Sequence, residues 1–172
     1  PVPTSWRKNR KTRSLPAWSP NVSLKASLFA NGPLVSQDIV WRVYEEGTKE
    51  KDPIWSGPGA PRLRLLPGSY RIEAKYGLAR ASQVIEVRKG EHTDAMLVLN
   101  AGTLRVKGVA VDGGEVLSDI SFNLRGSEPD LRELSLGGRT EAVFHAPAGS
   151  YHLLARRGFA HIDTPVTIEA GK

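Results

Sequence analysis

The feature that most narrows the choice of fold is an internal repetition. The segment Pro67-Gly68-Ser69-Tyr70-Arg71-Ile72-Glu73-Ala74-Lys75-Tyr76-Gly77 returns, in altered form, as Ala148-Gly149-Ser150-Tyr151-His152-Leu153-Leu154-Ala155-Arg156-Arg157-Gly158, 81 positions later. The same offset lays Ile39-Val40-Trp41-Arg42-Val43 on Ile120-Ser121-Phe122-Asn123-Leu124, and Ile85 to Gly90 on Val166 to Gly171. With one residue of slippage, Ser23-Leu24-Lys25-Ala26 falls on Thr103-Leu104-Arg105-Val106. Four blocks in one order at nearly one spacing imply two homologous units of about 80 residues, a size at which a small β domain folds alone.

Each block alternates. Tyr70, Ile72 and Ala74 interleave with Arg71, Glu73 and Lys75, and Leu104 and Val106 with Arg105 and Lys107. A period of two, carried by β-branched and aromatic residues, is a strand with one face buried and one wet. Antiparallel sheets packed face to face produce this pattern. Turn signals separate the blocks: Asn31-Gly32-Pro33, Gly57-Pro58-Gly59, Pro67-Gly68, Asp112-Gly113-Gly114, Gly137-Gly138 and Pro147-Ala148-Gly149. Ser127 to Leu134 starts like a helix, but Gly137-Gly138 ends it within about two turns, so it reads as a loop, as does its counterpart Thr48 to Ile54. The expected fold is all-β: two tandem antiparallel β-sandwich domains from an internal duplication, over residues 21–100 and 101–172, behind an arm of residues 1–20. Trp41 and Phe122 share a register position and are expected in the two cores. The tyrosine after each Pro/Ala-Gly-Ser turn is expected to bury its ring and return its hydroxyl to nearby backbone, as in a tyrosine corner. The short link Asn100-Ala101-Gly102 predicts semi-rigid, end-to-end stacking.

Charge is uneven. Arg7, Lys8, Arg10, Lys11 and Arg13 put five positive charges in the first 13 residues with no acid among them, while the other 159 residues carry 19 positive and 18 negative. A basic arm of this kind docks on anionic lipid or phosphate by counterion release, or is simply a solvated linker. Pro1, Pro3, Pro16 and Pro20 favour the linker, and no basic amphipathic helix is present, so the nucleic-acid signal is weak. The opening proline reads as a processed or cut start. No run approaches the roughly 18 apolar residues of a spanning helix.

The stretch Leu66-Pro67-Gly68-Ser69-Tyr70-Arg71-Ile72-Glu73-Ala74, followed by Ala81 to Gly90, resembles the bacterial immunoglobulin-like and carboxypeptidase-regulatory-like (prealbumin-type) repeats of exported proteins. The phrase Leu97-Val98-Leu99-Asn100-Ala101-Gly102-Thr103-Leu104 is similar to the junctions in such tandem arrays. The resemblance spans about Asn21 to Lys172. It implies a periplasmic or envelope-associated, noncatalytic spacer or interaction module. Its partner would be another envelope protein or a further domain of the same chain. The first repeat also has a strand, Ala95 to Leu99, after the glycine that matches Gly171; the second copy lacks it, which predicts that the natural chain continues or that this domain does without it.

Absence of cysteine excludes disulfides, thiolate metal sites and a cysteine nucleophile. No cofactor is expected, because no phosphate loop, calcium loop or Gly-x-Ser-x-Gly elbow occurs. The histidines are His92, His145, His152 and His161. His145 and His152 flank the Gly149 turn, where a hairpin would bring them together, but they align with Arg64 and Arg71 and are expected to face solvent. The second functional class is glycan binding, which uses exposed aromatics. Trp55 is its candidate centre, with Tyr44 and Tyr76 as helpers; the competing assignment for Trp55 is a core or inter-strand plug. Asn21-Val22-Ser23 matches a glycosylation sequon.

Overall fold

The computed structural model describes residues 20–47, 52–127 and 134–172. The first unit contains β1 (Val22–Ser27), β2 (Ile39–Glu45), β3 (Trp55–Pro58), β4 (Arg62–Leu63), β5 (Gly68–Tyr76), β6 (Ala79–Val87) and β7 (Thr93–Val98). The second contains β8 (Ala101–Lys107), β9 (Ile120–Gly126), β10 (Leu134–Arg139), β11 (Glu141–Pro147), β12 (Gly149–Arg157) and β13 (Ala160–Ile168). The protein is all-β: among the described residues there is no helix, and so none long and apolar enough to cross a membrane.

In the first unit a sheet ordered β3-β2-β5-β6 packs against one ordered β4-β1-β7. In the second, β10-β9-β12-β13 packs against β11-β8. Among the described strands the pairings are antiparallel except one, which corrects the sequence expectation. β7 lies parallel to β1, with Leu24 opposite Ala95 and Ala26 opposite Leu97. The reason is topological. The chain leaves β6 in one sheet, crosses to the other through Arg88 to His92, and meets β1 running the same way. Period two reports which face is buried and carries no information on strand direction.

The alternation becomes burial directly. Ile39, Trp41 and Val43 are fully buried in the first unit, as are Phe122 and Leu124 in the second. Each such side chain contributes about 1.5–3 kcal/mol by leaving water. Trp41 also donates its indole N–H to the Gly59 carbonyl at 2.7 Å, so its polar atom is satisfied inside the core.

Turn geometry repeats with the register. Asp38 and Asp119 hold left-handed backbone at φ 57° and 58°, and Gly77 and Gly158 both at φ 59°. The tyrosine corners form in both units: Tyr70 donates its hydroxyl to the Leu66 carbonyl at 2.9 Å, and Tyr151 donates to Pro147 at 2.8 Å. Burial raises the Tyr70 pKa, with the Glu45 carboxylate adding to it, so the hydroxyl stays a donor.

Candidate functional site

A concave feature of about 800 Å³ lies where the two units meet. Its walls include Gln37 and Asp38 before β2, Tyr76 at the end of β5, Thr103 and Arg105 on β8, and Glu141 and His145 on β11. Backbone builds the joint beneath it. The Ala101 amide donates to Leu28 at 2.9 Å, the Ala148 amide to Asn100 at 2.8 Å, and the Leu78 amide to His145 at 2.8 Å. Gly77 lies so close to the His145 carbonyl that a Cβ there would overlap it. Leu78 packs against the second core while Ala101 belongs to the first, so each unit inserts a residue into the other's packing. The link is therefore fastened on both sides.

His145 is central to this joint, and its placement corrects the sequence expectation of a solvent-facing histidine. Its ring stacks on Tyr76 at a centroid distance of 4.2 Å, and its Nδ1 is hydrogen-bonded to Thr103 Oγ1 at 3.1 Å. Burial lowers its pKa, opposed by Asp38 and aided by Arg105, so the neutral imidazole is favoured. Burial raises the Tyr76 pKa, the Thr103 hydrogen bond opposes this, and Asp38 adds to it. The alignment with Arg64 concealed the site because Arg64 lies outside β4, whereas its counterpart lies well inside β11. His145 and His152 do not meet across a hairpin. β11 belongs to one sheet and β12 to the other, and His152 sits on the outer face with its Nδ1 3.1 Å from Asp163. Among the described residues no three His, Asp or Glu side chains gather into a group that could hold a metal.

The aromatic candidates are not brought together. Trp55 stands opposite Val43, half-buried against the first core, its ring over Gly57. Tyr44 is buried and carries the Arg71 guanidinium 4.5 Å above its ring centre. Tyr76 is at the other end of the same sheet, opposite Ile39 in the joint. The three share no common platform, because Trp55 and Tyr44 occupy positions of opposite parity on paired strands. Two smaller hollows lie on outer faces: one of about 210 Å³ among Arg42, Glu73, Lys75 and Arg80, and one of about 140 Å³ among Asn123, Arg125, His152 and Asp163. The basic residues Arg7, Lys8, Arg10, Lys11 and Arg13 lie outside the described residues.

No family model and no curated protein matches the sequence. Among solved structures, the Bacillus anthracis TIE protein is similar at 14% identity and a TM-score of 0.34 over 87% of this chain, which spans 31% of that protein's length. A DUF3823 family protein from Bacteroides ovatus is similar at 12% identity and a TM-score of 0.33, covering 87% of this chain and 96% of that one. The amphioxus IgVJ-C2 molecule is similar at 12% identity and a TM-score of 0.21, covering 88% and 98%. Likeness at these scores carries no argument; the sheet order and the two cores above define the all-β sandwich architecture.

Proposed function

We propose that this chain is a noncatalytic spacer and protein-interaction module of a bacterial cell-envelope protein, built from two prealbumin-type repeats. The observation that carries the reading is the doubly fastened joint. Three backbone hydrogen bonds and the Gly77 to His145 contact cross it, so the units hold a set orientation. A joint of that kind suits a module that must keep a fixed distance and present fixed faces, whereas a free linker would let the units swing independently. The resemblance of residues 21–172 to exported tandem repeats points the same way and supplies the envelope assignment.

The test is affinity capture from an envelope extract of the source organism. The whole chain and a chain lacking residues 1–20 are compared at low and high salt, and both protein and glycan are identified. One protein retained by both chains at high salt supports the module. Retention only at low salt, and only with the arm present, transfers the function to Arg7, Lys8, Arg10, Lys11 and Arg13, since phosphate-type contacts weaken steeply with salt. Retention of glycan alone, lost in Trp55→Ala, replaces the reading with carbohydrate binding.

A further inference from the structure

The outer face of the larger sheet in the first unit carries cations that its own carboxylates do not neutralise. The strand register sets two rows. Val40 stands opposite Lys75, and Lys75 opposite Arg80. Arg42 stands opposite Glu73, and Glu73 opposite Ser82. Lys75 and Arg80 are therefore like charges directly across from each other, with Arg42 as a diagonal neighbour, an arrangement that costs a sheet stability. Glu73 is the one carboxylate in these rows, and the Arg71 guanidinium engages it. Among the described residues no carboxylate forms an ion pair with Arg42, Lys75 or Arg80. These side chains wall the hollow of about 210 Å³, and Ala74 and Ala81 close it beneath.

The second unit fills the same sheet positions differently. Asn123 stands opposite Leu154, and Leu154 opposite Asp163. Neutral residues thus take the places of Arg42 and Glu73, and a carboxylate takes that of Ser82. Asp163 meets His152, Oδ1 to Nδ1 3.1 Å, and Arg156 donates its Nε proton to the Gly158 carbonyl at 3.2 Å. That face satisfies its charges internally, whereas the first holds three cations against one another. Folding does not require the second arrangement. The cations at positions 7–13 have the wrong sign to relieve it.

Guanidinium groups grip oxyanions through paired N–H donors. A phosphate monoester, close to a dianion at neutral pH, would also face the Glu73 carboxylate. An acidic peptide side chain brings a carboxylate but no hydroxyl donor for Glu73. A carboxylate-bearing sugar fits both ends of the hollow. Its carboxylate meets Arg42, Lys75 and Arg80, while its ring hydroxyls donate to Glu73 and exchange hydrogen bonds with Ser82. The volume is below the roughly 300 Å³ at which pockets for drug-sized molecules begin, so a single sugar unit enters. We propose that this hollow binds a uronic-acid unit of an acidic polysaccharide. The site does not include Trp55, and it goes beyond the spacer and interaction-module reading without depending on it.

The test is a titration of the isotope-labelled whole chain with a galacturonate oligomer at physiological salt, followed through its amide shifts. A neutral glucose oligomer, an oligoglutamate peptide and inorganic phosphate are the comparison ligands. Saturating shifts at Lys75, Arg80 and Ser82 are expected with galacturonate. Arg80→Glu should lower the affinity about tenfold, as loss of a charge-assisted hydrogen bond does. It should also raise the melting temperature by about 1–4 °C, because an opposite-charge pair replaces a like-charge one. Arg42→Gln, which removes a charge without adding one, should lower the affinity about threefold. No saturable shift at these amides, or an affinity that both substitutions leave unchanged, overturns the site. Shifts confined to positions 7–13 assign the binding to the basic arm and overturn it as well. A lower melting temperature in Arg80→Glu shows that the Lys75 and Arg80 pair serves the fold, and overturns the case for a ligand. Oligoglutamate or phosphate binding as tightly as galacturonate overturns the sugar assignment.

Discussion

The first unit pairs both edges of β1, with β4 on one side and β7 on the other; in the second, β11 pairs one edge of β8 along seven residues, and the Gly171 amide and the Lys172 carbonyl meet the other edge at Ala101 and Thr103. β4 is two residues long and β11 is seven, so the two units pair these strands over different lengths. Hairpin tips differ in the same way. Leu78 is packed on the neighbouring core, while Phe159, which holds the same position in the second unit, is fully exposed. Yet the backbone around these tips is the same, down to φ 59° at Gly77 and Gly158. The comparison teaches that local turn chemistry is set within each unit, whereas burial is set by what stands next to it.

The largest effects should come from the cores. Trp41→Ala and Phe122→Ala each remove a buried aromatic and are expected to cost about 3–5 kcal/mol. Scanning calorimetry should show each substitution lowering chiefly the transition of its own unit. If either change moved a single shared transition, the picture of two separate cores would fail.

The comparison is sharpened by its glycines. Gly77→Ala and Gly158→Ala impose the same left-handed strain, about 1–2 kcal/mol. Gly158 has open space around it, while at Gly77 the new Cβ meets the His145 carbonyl. Gly77→Ala should therefore cost roughly 1–3 kcal/mol more, as overpacking does, and loosen the joint. Denaturant unfolding measures the first, and small-angle scattering the second as a broader distance distribution. Equal costs at the two sites would dissolve the joint as a mechanical element.

The smallest effect is one of pH. The His145 pKa is lowered in the folded chain, from an ordinary value of 6.5. Above that value both folded and unfolded chains hold a neutral ring, and the stability it permits is fully present. As pH falls below it, the unfolded chain takes up its proton first, so stability declines until the folded ring is protonated too. His145→Phe keeps a ring against Tyr76 and should flatten this part of the stability profile. A profile unchanged by the substitution would show that burial at the joint does not perturb the ring.

Much of this was legible beforehand. Trp41 and Phe122 could be placed in the cores, and Tyr70 and Tyr151 in their corners, because alternation and turn residues act over a few neighbouring positions. The site was not legible in the same way. Trp55, Tyr44 and Tyr76 are similar in kind and close in sequence, but strand parity and sheet position send them to different places. His145 looked like an arginine's counterpart, and only Tyr76 and Thr103, each more than forty residues away, turn it into a joint residue.

By itself, the sequence determined that its segments are strands, which of their faces are apolar, and where left-handed glycines end its hairpins. Those properties follow from side-chain period and backbone sterics, which are local. Tertiary structure alone decided that β7 runs parallel to β1, that the Leu78 amide reaches the His145 carbonyl, and that the His145 ring stacks on Tyr76. Those depend on which elements meet across the sandwich, and the pairing of distant strands is a property of the whole packed chain.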